Sequence, residues 1–502
     1  MKSPEIGNRS IQAMALEDIL RIPALERMLQ GDVGVFSVRY LFINNYSNLL
    51  VSRASNPAKI GIASQESIDI YCLMRLMRDI FVRSSIHPAE LLFISRDRKV
   101  EVRSPHGLIA GDYLFYSIED HLKRHNPDIN YHMFFLDDGY EKFKHASPFD
   151  LIRSLSFSLC RSVQWRMHRN RILEQLPCEE RESLSLCISS FYNPRQLLNN
   201  ALLGYSIRNL LEHIRPTVII SNDDCIYTKL VDSHAWFIVL QSANVLDSVD
   251  ECRSIIFQDS SLMPYYFLAS GKMYAEIKEK HDMAKRIIVV GLPRYDLLYK
   301  SKYLYSKTCF LNEHGIDPDN KIVLWATQTH GLSKEENLMN LEAVFGAIEG
   351  LNGSTLIIKQ HPAEGEEHTM MIHHHLDMHP ISALIVPKDF DIIELVTVCD
   401  LMITRHSTTA MEAVALNKPI IILNLSGNPD PVDYVEAGVA LGVYSEERLR
   451  PAIQRLLEDD SVLATHRQAY VEKHLYRIDG GATQRVVNII QGCLHSKRDH
   501  EK

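Results

Sequence analysis

The amino-acid sequence predicts an α/β protein built from two doubly wound domains that face each other across a cleft. Short apolar runs rich in β-branched residues alternate with segments of helical periodicity, which is the pattern of parallel sheets covered by helices. At 502 residues the chain is also too long for one ordinary hydrophobic core. A polar segment over residues 299–320, with Gly315 and Pro318, predicts a linker between Rossmann-like domains at 1–305 and 316–490.

Composition and charge argue against several classes of protein. The net charge of -9 gives no reason to expect nucleic acid as a partner. The nine cysteines include no CxxC pair, which favours reduced thiols over a disulfide framework. No apolar run has the length of a membrane span, and the first residues lack the apolar core of a signal peptide. We therefore expect a cytoplasmic protein, which would reach a membrane-linked glycan from the inner face.

Two polar clusters at predicted strand ends mark the most informative stretch, residues 356–425. The first strand ends in Lys359, Gln360, His361 and Pro362. The second strand ends in a cluster that opens directly into a helix, namely Arg405, His406, Ser407, Thr408 and Thr409. Ligands of doubly wound sheets bind beyond the carboxyl ends of the strands, so both clusters are candidate site residues.

The residue types in these clusters suit the binding of a diphosphate without a metal ion. A helix that begins near Ser407 presents free backbone N–H groups and the positive end of its dipole. Arg405, Lys359 and the two histidines would add donors and positive charge. Ordinary capping is the alternative interpretation, because Thr409 and Glu412 have the spacing of a capping box.

Two further segments supply candidate ligand contacts. The strand over residues 322–326 leads into a small polar loop that contains Thr327, Gln328 and His330. This loop lacks the glycine triplet of dinucleotide sites and the lysine motif of NTPases, which disfavours NAD and ATP. Arg294 follows the last strand of the first domain, where it would either reach a phosphate across the cleft or pair with Asp296.

A pair of carboxylates is the candidate general base. Asp137 and Asp138 follow an apolar run, and Gly139 after them permits a tight turn. A carboxylate at such a strand end would take a proton from an acceptor hydroxyl. A plain turn is the alternative, since Asp and Gly both favour turns.

One basic helix is predicted over residues 149–173. Ile152, Leu155, Leu159 and Val163 follow a helical stripe, and arginines and one tryptophan fill the remainder. The favoured interpretation is a core-facing helix with a solvated polar side. Peripheral contact with an anionic membrane surface is the alternative.

Four strings of this sequence resemble surface-polysaccharide transferases of the GT-B fold. These are KQHP and RHSTTAMEAVALNKPIIIL in the two clusters, with GLPRYDLL and LWATQTHG upstream. The resemblance covers roughly residues 217–484 and is nearest to the CDP-glycerol glycerophosphotransferase family and to capsule glycosyltransferases. UDP-N-acetylglucosamine 2-epimerases are similar in layout. The Asp-Asp-Gly triplet, the His-Pro pair and the later Ser/Thr pair also resemble polysialyltransferases in type and order.

The resemblance implies a metal-independent transferase with a nucleotide-sugar or CDP-polyol donor and a glycan or lipid-linked acceptor of the cell envelope. No cofactor is expected besides the donor. Asp137 or Asp138 would be the base, His361 a further catalytic candidate, and Glu412 a ribose ligand. An epimerase-like isomerase that uses His330 or His361 remains an alternative. So does a non-catalytic binding protein, because Gln241 begins Gln-Ser-Ala where the family often has Gln-His-Gly.

Overall fold

The structure, a computed structural model, contains two compact α/β units. It describes residues 16–55, 89–95, 116–136, 143–176, 181–222, 235–241, 254, 264–329, 332–361 and 364–496. Unit 2 comprises the described residues of Gly291–Thr483, and unit 1 comprises the described residues before Gly291 and after Thr483. Each unit carries its own parallel six-stranded sheet, so the predicted α/β fold with two Rossmann-like domains is confirmed.

Unit 1 contains a short antiparallel hairpin and a parallel sheet. The hairpin is β1 (Asp32–Val33) and β2 (Phe36–Ser37). The sheet strands are β3 (Leu91–Ser95), β4 (Tyr131–Phe135), β5 (Val218–Ser221), β6 (Trp236–Leu240), β7 (Tyr266–Ala269) and β8 (Arg286–Val289). Their order is β4-β3-β5-β6-β7-β8. Strands β5 and β6 are buried on both faces, as expected for a parallel sheet covered by helices.

Helices cover this sheet and begin at residues that suit a helix start. They are α1 (Pro23–Met28), α2 (Val38–Ser55), α3 (Tyr116–His125), α4 (Pro148–Glu174), α5 (Arg181–Phe191), α6 (Pro194–Ile214) and α7 (Lys272–Lys280). Helix α4 begins with a capping box between Ser147 and Asp150 and has Pro148 at its first position. Helix α6 begins at Asn193, whose side chain accepts from the Arg195 N–H.

The unit 2 sheet has the strand order of a dinucleotide-binding domain. Its strands are β9 (Lys321–Ala326), β10 (Ser354–Lys359), β11 (Ala383–Val386), β12 (Leu401–Thr404), β13 (Ile420–Leu423) and β14 (Leu441–Val443). The order is β11-β10-β9-β12-β13-β14, and every pair is parallel. The chain therefore winds outward in both directions from β9 and β12, which makes their junction the topological switch point.

The helices of unit 2 pack on both faces of that sheet. They are α8 (Asp296–Leu304), α9 (Lys307–Glu313), α10 (Lys334–Glu349), α11 (Glu366–Met378), α12 (Ile392–Val398), α13 (Thr409–Ala415), α14 (Leu449–Glu458) and α15 (Ser461–His474). The last helix, α16 (Ala482–His495), begins in unit 2 and continues into unit 1. None of the described helices has the length and apolar character needed to cross a membrane.

The predicted domain boundaries need two corrections. Residues 299–320 are no linker, because α8 and α9 occupy most of them and bury Tyr305, Phe310 and Leu311 in the unit 2 core. The boundary lies instead at Val290 and Gly291. Helix α16 packs its apolar face on the unit 1 sheet, so the chain end predicted for the second domain completes the first one.

Candidate functional site

The switch point of unit 2 brings two polar loops together. One loop follows β9 and begins with Thr327 and Gln328, and the other follows β12 and begins with Arg405 and His406. The Gln328 Oε1 atom accepts a hydrogen bond from the His406 backbone N–H at 2.8 Å. This bond crosses the junction and holds the two loops at one edge of the sheet. Doubly wound sheets bind ligands at such a junction.

A pocket lies at this junction and is lined mainly by polar side chains. It contains Thr327 and Gln328 from the first loop and Arg405 from the second. Residues from α10 and α11 complete its wall, namely Asn337, Asn340 and His368. The lining therefore offers hydrogen-bond donors, acceptors and one permanent positive charge to a ligand.

Arg405 supplies the unused donors of the pocket. Its Nε and Nη1 atoms are buried and have no hydrogen-bond partner, and its Nη2 atom donates to Ser426 Oγ at 3.5 Å. Burial lowers the pKa of Arg405, while Glu336 and Asp430 act in the opposite direction. The guanidinium nevertheless stays charged at neutral pH. Buried donors without partners destabilise a protein, and an anion in the pocket would satisfy them.

Asn340 contributes the complementary group, an unused acceptor. Its Oδ1 atom is buried and has no hydrogen-bond partner. A ligand that carries both an anionic group and a hydroxyl would therefore satisfy Arg405 and Asn340 together. Phosphorylated sugars and polyols have this combination of groups.

A buried glutamate organises the wall of the pocket. Glu364 lies before α11, and its carboxylate accepts from Thr327 Oγ1 at 2.8 Å, from the Thr329 N–H at 3.1 Å and from His368 Nδ1 at 2.9 Å. Burial raises the pKa of Glu364, but the hydrogen bonds from His368 and Thr327 outweigh it and hold that pKa below its ordinary value. Glu364 is therefore a carboxylate that joins the β9 loop to the start of α11.

The first predicted cluster is separated from the second by one strand of the sheet. Strand β9 separates β10 from β12, so the tips that carry His361 and Ser407 are not neighbours but lie about 10 Å apart. Lys359 is buried, and its Nζ atom donates to the Gln360 and Lys388 carbonyls at 3.0 and 2.6 Å. In this arrangement Lys359 stabilises the loop after β11, and its contact with a phosphate stays a prediction. His361 is partly exposed at the tip of β10.

The second cluster begins α13 without the predicted capping box. The helix starts at Thr409, and Thr408 before it makes no side-chain capping bond. Ser407 Oγ instead accepts from the Thr409 N–H at 3.2 Å. The Ser407 side chain is 9% exposed, whereas Thr408 is open to solvent. The hydroxyl expected to bind phosphate thus already serves the helix start.

Arg294 pairs with Glu412 and not with Asp296. The Arg294 Nη2 atom lies 2.8 Å from Glu412 Oε1, and the guanidinium also stacks over the Tyr295 ring. Asp296 instead accepts from the backbone N–H groups of Ala482 and Thr483 at 2.9 and 2.8 Å. The sequence had named Arg294 and Glu412 as separate ligand contacts, and the fold joins them as a buried ion pair.

The comparison with known families identifies the class of protein. The model of the CDP-glycerol:poly(glycerophosphate) glycerophosphotransferase family matches residues 206–492, which is more than half of the chain. The chain belongs to this family. It is a glycerophosphotransferase-type enzyme, and the resemblance derived from the motifs of residues 356–425 is confirmed.

Individual proteins give weaker similarities. A search of curated proteins found no match. The UDP-GlcNAc 2-epimerase of Methanocaldococcus jannaschii is 16% identical with a TM-score of 0.49, over 80% of this chain and 99% of that chain. The wall teichoic acid polymerase TagF is 13% identical with a TM-score of 0.47, over 91% of this chain and 99% of that chain. Similarities of this size carry no argument about the reaction.

Several predicted residues of this glycerophosphotransferase lie outside the described part of the chain. They are Asp137, Asp138, His330 and Pro362. Their roles as base or ligand contact stay predictions. The described residues contain no group of three or more His, Cys, Asp or Glu side chains that would hold a metal ion.

The structure adds pocket residues of the glycerophosphotransferase that sequence reasoning missed. Asn337, Asn340, Glu364 and His368 belong to no recognised motif. Glu364 and His368 have a spacing of four, but Glu364 precedes the helix, so helical periodicity alone does not pair them. The approach of the β9 loop to the start of α11 then adds Thr327 Oγ1 and the Thr329 N–H as donors to the same Glu364 carboxylate.

Proposed function

We propose that this glycerophosphotransferase transfers glycerol phosphate, or a related polyol phosphate, from a CDP-activated donor to a hydroxyl of a cell-envelope glycan or glycolipid. One observation carries the proposal. The pocket at the switch point of unit 2 holds Arg405, whose Nε and Nη1 atoms are buried without partners. An anionic group of the donor supplies those partners, and a hydroxyl of the polyol or ribose supplies a donor to Asn340.

The proposed reaction exchanges the phosphoanhydride bond of the donor for a phosphate ester with the acceptor. The acceptor oxygen forms a bond to the phosphorus that carries the polyol. The bond between that phosphorus and the bridging oxygen breaks, and CMP leaves with the bonding electron pair. The acceptor proton passes to Asp137 or Asp138. Arg405 offsets the charge of the diphosphate and of the leaving phosphate, so the step needs no metal ion.

The nucleotide product tests this proposal. Purified enzyme with CDP-glycerol and a glycan acceptor should release CMP in the presence of a chelator, and only when acceptor is present. Release of a nucleoside diphosphate from a nucleotide sugar would indicate sugar transfer instead. Conversion of a UDP-sugar without nucleotide release would favour the isomerase alternative. Binding without any turnover would favour a non-catalytic protein.

The carboxylate pair carries a separate prediction. Replacing Asp137 or Asp138 by asparagine removes a proton acceptor and leaves the side chain nearly unchanged in size. We expect the variant that lacks the base to lose about 10²-fold in kcat, since general bases contribute on that scale. Steady-state CMP release measures the loss. Full turnover by both folded variants would contradict the assignment.

Helix α4 exposes an apolar stripe that the sequence had predicted to face the core. Phe149, Ile152, Leu159, Val163 and Met167 are between 52% and 74% exposed. The buried residues of this helix include three serines in one row along the helix and are Asp150, Leu151, Ser154, Ser158, Ser162, Trp165 and Ile172. The three serines Ser154, Ser158 and Ser162 recur at helical spacing, as the apolar side chains do. In the fold the serines are buried and the apolar stripe is exposed.

The exposed face of α4 is basic as well as apolar, and we propose that it binds an anionic membrane surface. Arg153, Arg166, Arg169 and Arg171 are exposed along the same helix. Asp150, an acid in the first turn, is buried and hydrogen-bonded to Ser147 and Asn209. Apolar side chains flanked by arginines match the boundary between anionic headgroups and acyl chains. Such contact would hold the enzyme near a lipid-linked acceptor.

Vesicle co-sedimentation tests this surface. Replacing both Leu159 and Val163 by glutamate should reduce binding to anionic vesicles more than tenfold, because the apolar burial of each side chain is lost and two negative charges are added. Met370, 64% exposed on α11, provides the matched control, and Met370→Glu should bind as the unmodified enzyme does. Equal affinity for neutral and anionic vesicles would contradict the proposal. The proposal would also be contradicted if the double variant bound anionic vesicles normally and lost only self-association, because the stripe would then be an interface between copies of the chain.

A further inference from the structure

One wall of the pocket at the switch point offers neutral oxygen acceptors. Asn337 and Asn340 lie three residues apart on α10, so their side chains project from the same side of that helix, and both line the pocket. The Asn340 Oδ1 atom is buried and has no hydrogen-bond partner among the described residues. The Asn337 Nδ2 atom donates to the Ser333 carbonyl at 2.9 Å, which leaves Oδ1 as the acceptor of that amide. The α10 wall therefore suits a ligand group that donates hydrogen bonds.

This requirement excludes several parts of a phosphorylated donor from the α10 wall. The phosphate oxygens of a diphosphate diester are acceptors without hydrogen at neutral pH, so they cannot donate to Asn340 Oδ1. An apolar group would displace water from that oxygen and leave it without a partner, at a cost in free energy. A hydroxyl group both donates and accepts, and it makes an uncharged bond with a side-chain amide. The wall beside Arg405 therefore fits an alcohol that is attached to an anion.

The unit 2 sheet separates this wall from the residues predicted to bind the nucleoside. Trp325 of β9 shares a hydrophobic core with α10, whereas its neighbour Leu324 shares one with α13. Adjacent residues of a strand point to opposite faces, so the two helices cover opposite faces of the sheet. Glu412, the predicted ribose ligand, lies on α13. A single pair of hydroxyls therefore cannot contact both Glu412 and Asn340.

We propose that Asn340, with Asn337 beside it, binds the hydroxyl groups of the transferred polyol and makes the enzyme specific for a hydroxylated donor. This assignment rests on the proposed function, since it concerns the donor of that reaction. Glycerol is attached directly to the diphosphate, so an anion at Arg405 brings its hydroxyls to the α10 wall. The ribose and cytosine leave the diphosphate at its other end and extend toward α13. No bond to the polyol hydroxyls forms or breaks in the transfer, so Asn340 determines which donor is used.

A donor without polyol hydroxyls tests this inference. CDP-propanol keeps the nucleoside, the diphosphate and a three-carbon chain but lacks both glycerol hydroxyls of CDP-glycerol. Steady-state CMP release by the full chain, with the same glycan acceptor, gives kcat/KM for each donor. The unmodified enzyme should use CDP-propanol about 10- to 10²-fold less efficiently, because the propyl chain gives Asn340 Oδ1 no donor. Asn340→Leu, which has nearly the same shape, should lose about that factor with CDP-glycerol and little with CDP-propanol.

Asn312 provides the matched control, because it is exposed on α9 and lies outside the pocket. Asn312→Leu should keep the full preference for CDP-glycerol, and thermal melting shows whether each variant is folded. Equal use of both donors by the unmodified enzyme would overturn the inference and leave the proposed function standing, and this comparison needs no variant.

Two results with the Asn340 variant would also overturn the inference. One is a preference for CDP-glycerol that survives in folded Asn340→Leu. The other is a loss that is equal for both donors, since a structural role or a contact with the nucleoside has that effect. Absence of CMP release from CDP-glycerol by the unmodified enzyme would overturn both proposals.

Discussion

Replacing Arg405 by alanine is expected to lower kcat/KM for CMP release by about 10²- to 10³-fold, which is the usual cost of removing a preorganised donor from a developing charge. The same variant should unfold no more easily than the unmodified enzyme. Two buried nitrogen atoms without partners disappear with the side chain, so the free energy of unfolding should stay constant or rise by up to about 1 kcal/mol. In Arg405→Ala, kcat/KM should therefore fall while the free energy of unfolding stays the same or rises.

Two measurements check this expectation. Steady-state kinetics give the loss of activity, and thermal melting with and without CDP-glycerol gives both the intrinsic stability and the donor-induced shift. Arg448→Ala is the matched control, because Arg448 is exposed in the same unit and lies outside the pocket. A donor-induced shift of normal size in Arg405→Ala would show that the pocket does not bind the donor. A large intrinsic destabilisation would show that Arg405 is structural.

Breaking the pair between Arg294 and Glu412 should destabilise unit 2 by about 3–5 kcal/mol. Arg294→Met keeps the volume of the side chain and removes the Arg294 cation from the Glu412 carboxylate, whose side chain is only 7% exposed. Glu412→Gln should cost less than this, because a neutral amide costs less free energy to bury than a carboxylate. Chemical denaturation measures both values.

The double variant separates an ion pair from a ligand site. If the pair is structural, Arg294→Met with Glu412→Gln should recover part of the stability lost by Arg294→Met alone, because no charge is then left unpaired. If Arg294 binds phosphate, as the sequence had predicted, the single variant should instead raise KM for the donor with little change in unfolding. Additive losses in the double variant would contradict the coupling between these two residues.

The fold could be predicted in most of its elements from local pattern. The range predicted for β9 and the predicted ends of β10 and β12 agree with the structure to within one residue, because each strand is an apolar run that ends in polar residues. The family resemblance was also readable, since it rests on continuous strings. The prediction of a linker over residues 299–320 was wrong, because the polar surface residues of this segment alternate with the buried Tyr305, Phe310 and Leu311. Polarity along a chain does not distinguish a linker from a surface helix.

The candidate site was only partly predictable for a different reason. Arg405, Thr327 and Gln328 follow strand ends, and topology places strand ends of a parallel sheet at one edge. Asn340 and His368 follow no such rule, because helices that pack over the sheet bring them to the pocket. The order of strands also mattered. Residues at the tips of β10 and β12 look adjacent in sequence pattern, yet β9 lies between them.

The amino-acid sequence by itself determined that this protein has two parallel α/β domains, belongs to the glycerophosphotransferases and carries anion-binding residue types at its strand ends. These properties depend on periodicity and on short continuous motifs. Only the tertiary structure decided which stripe of α4 is buried, that Arg294 pairs with Glu412, and that Glu364 orients His368. The physical reason is that each of these outcomes depends on which distant segments come close enough to compete for the same hydrogen bonds and the same buried volume.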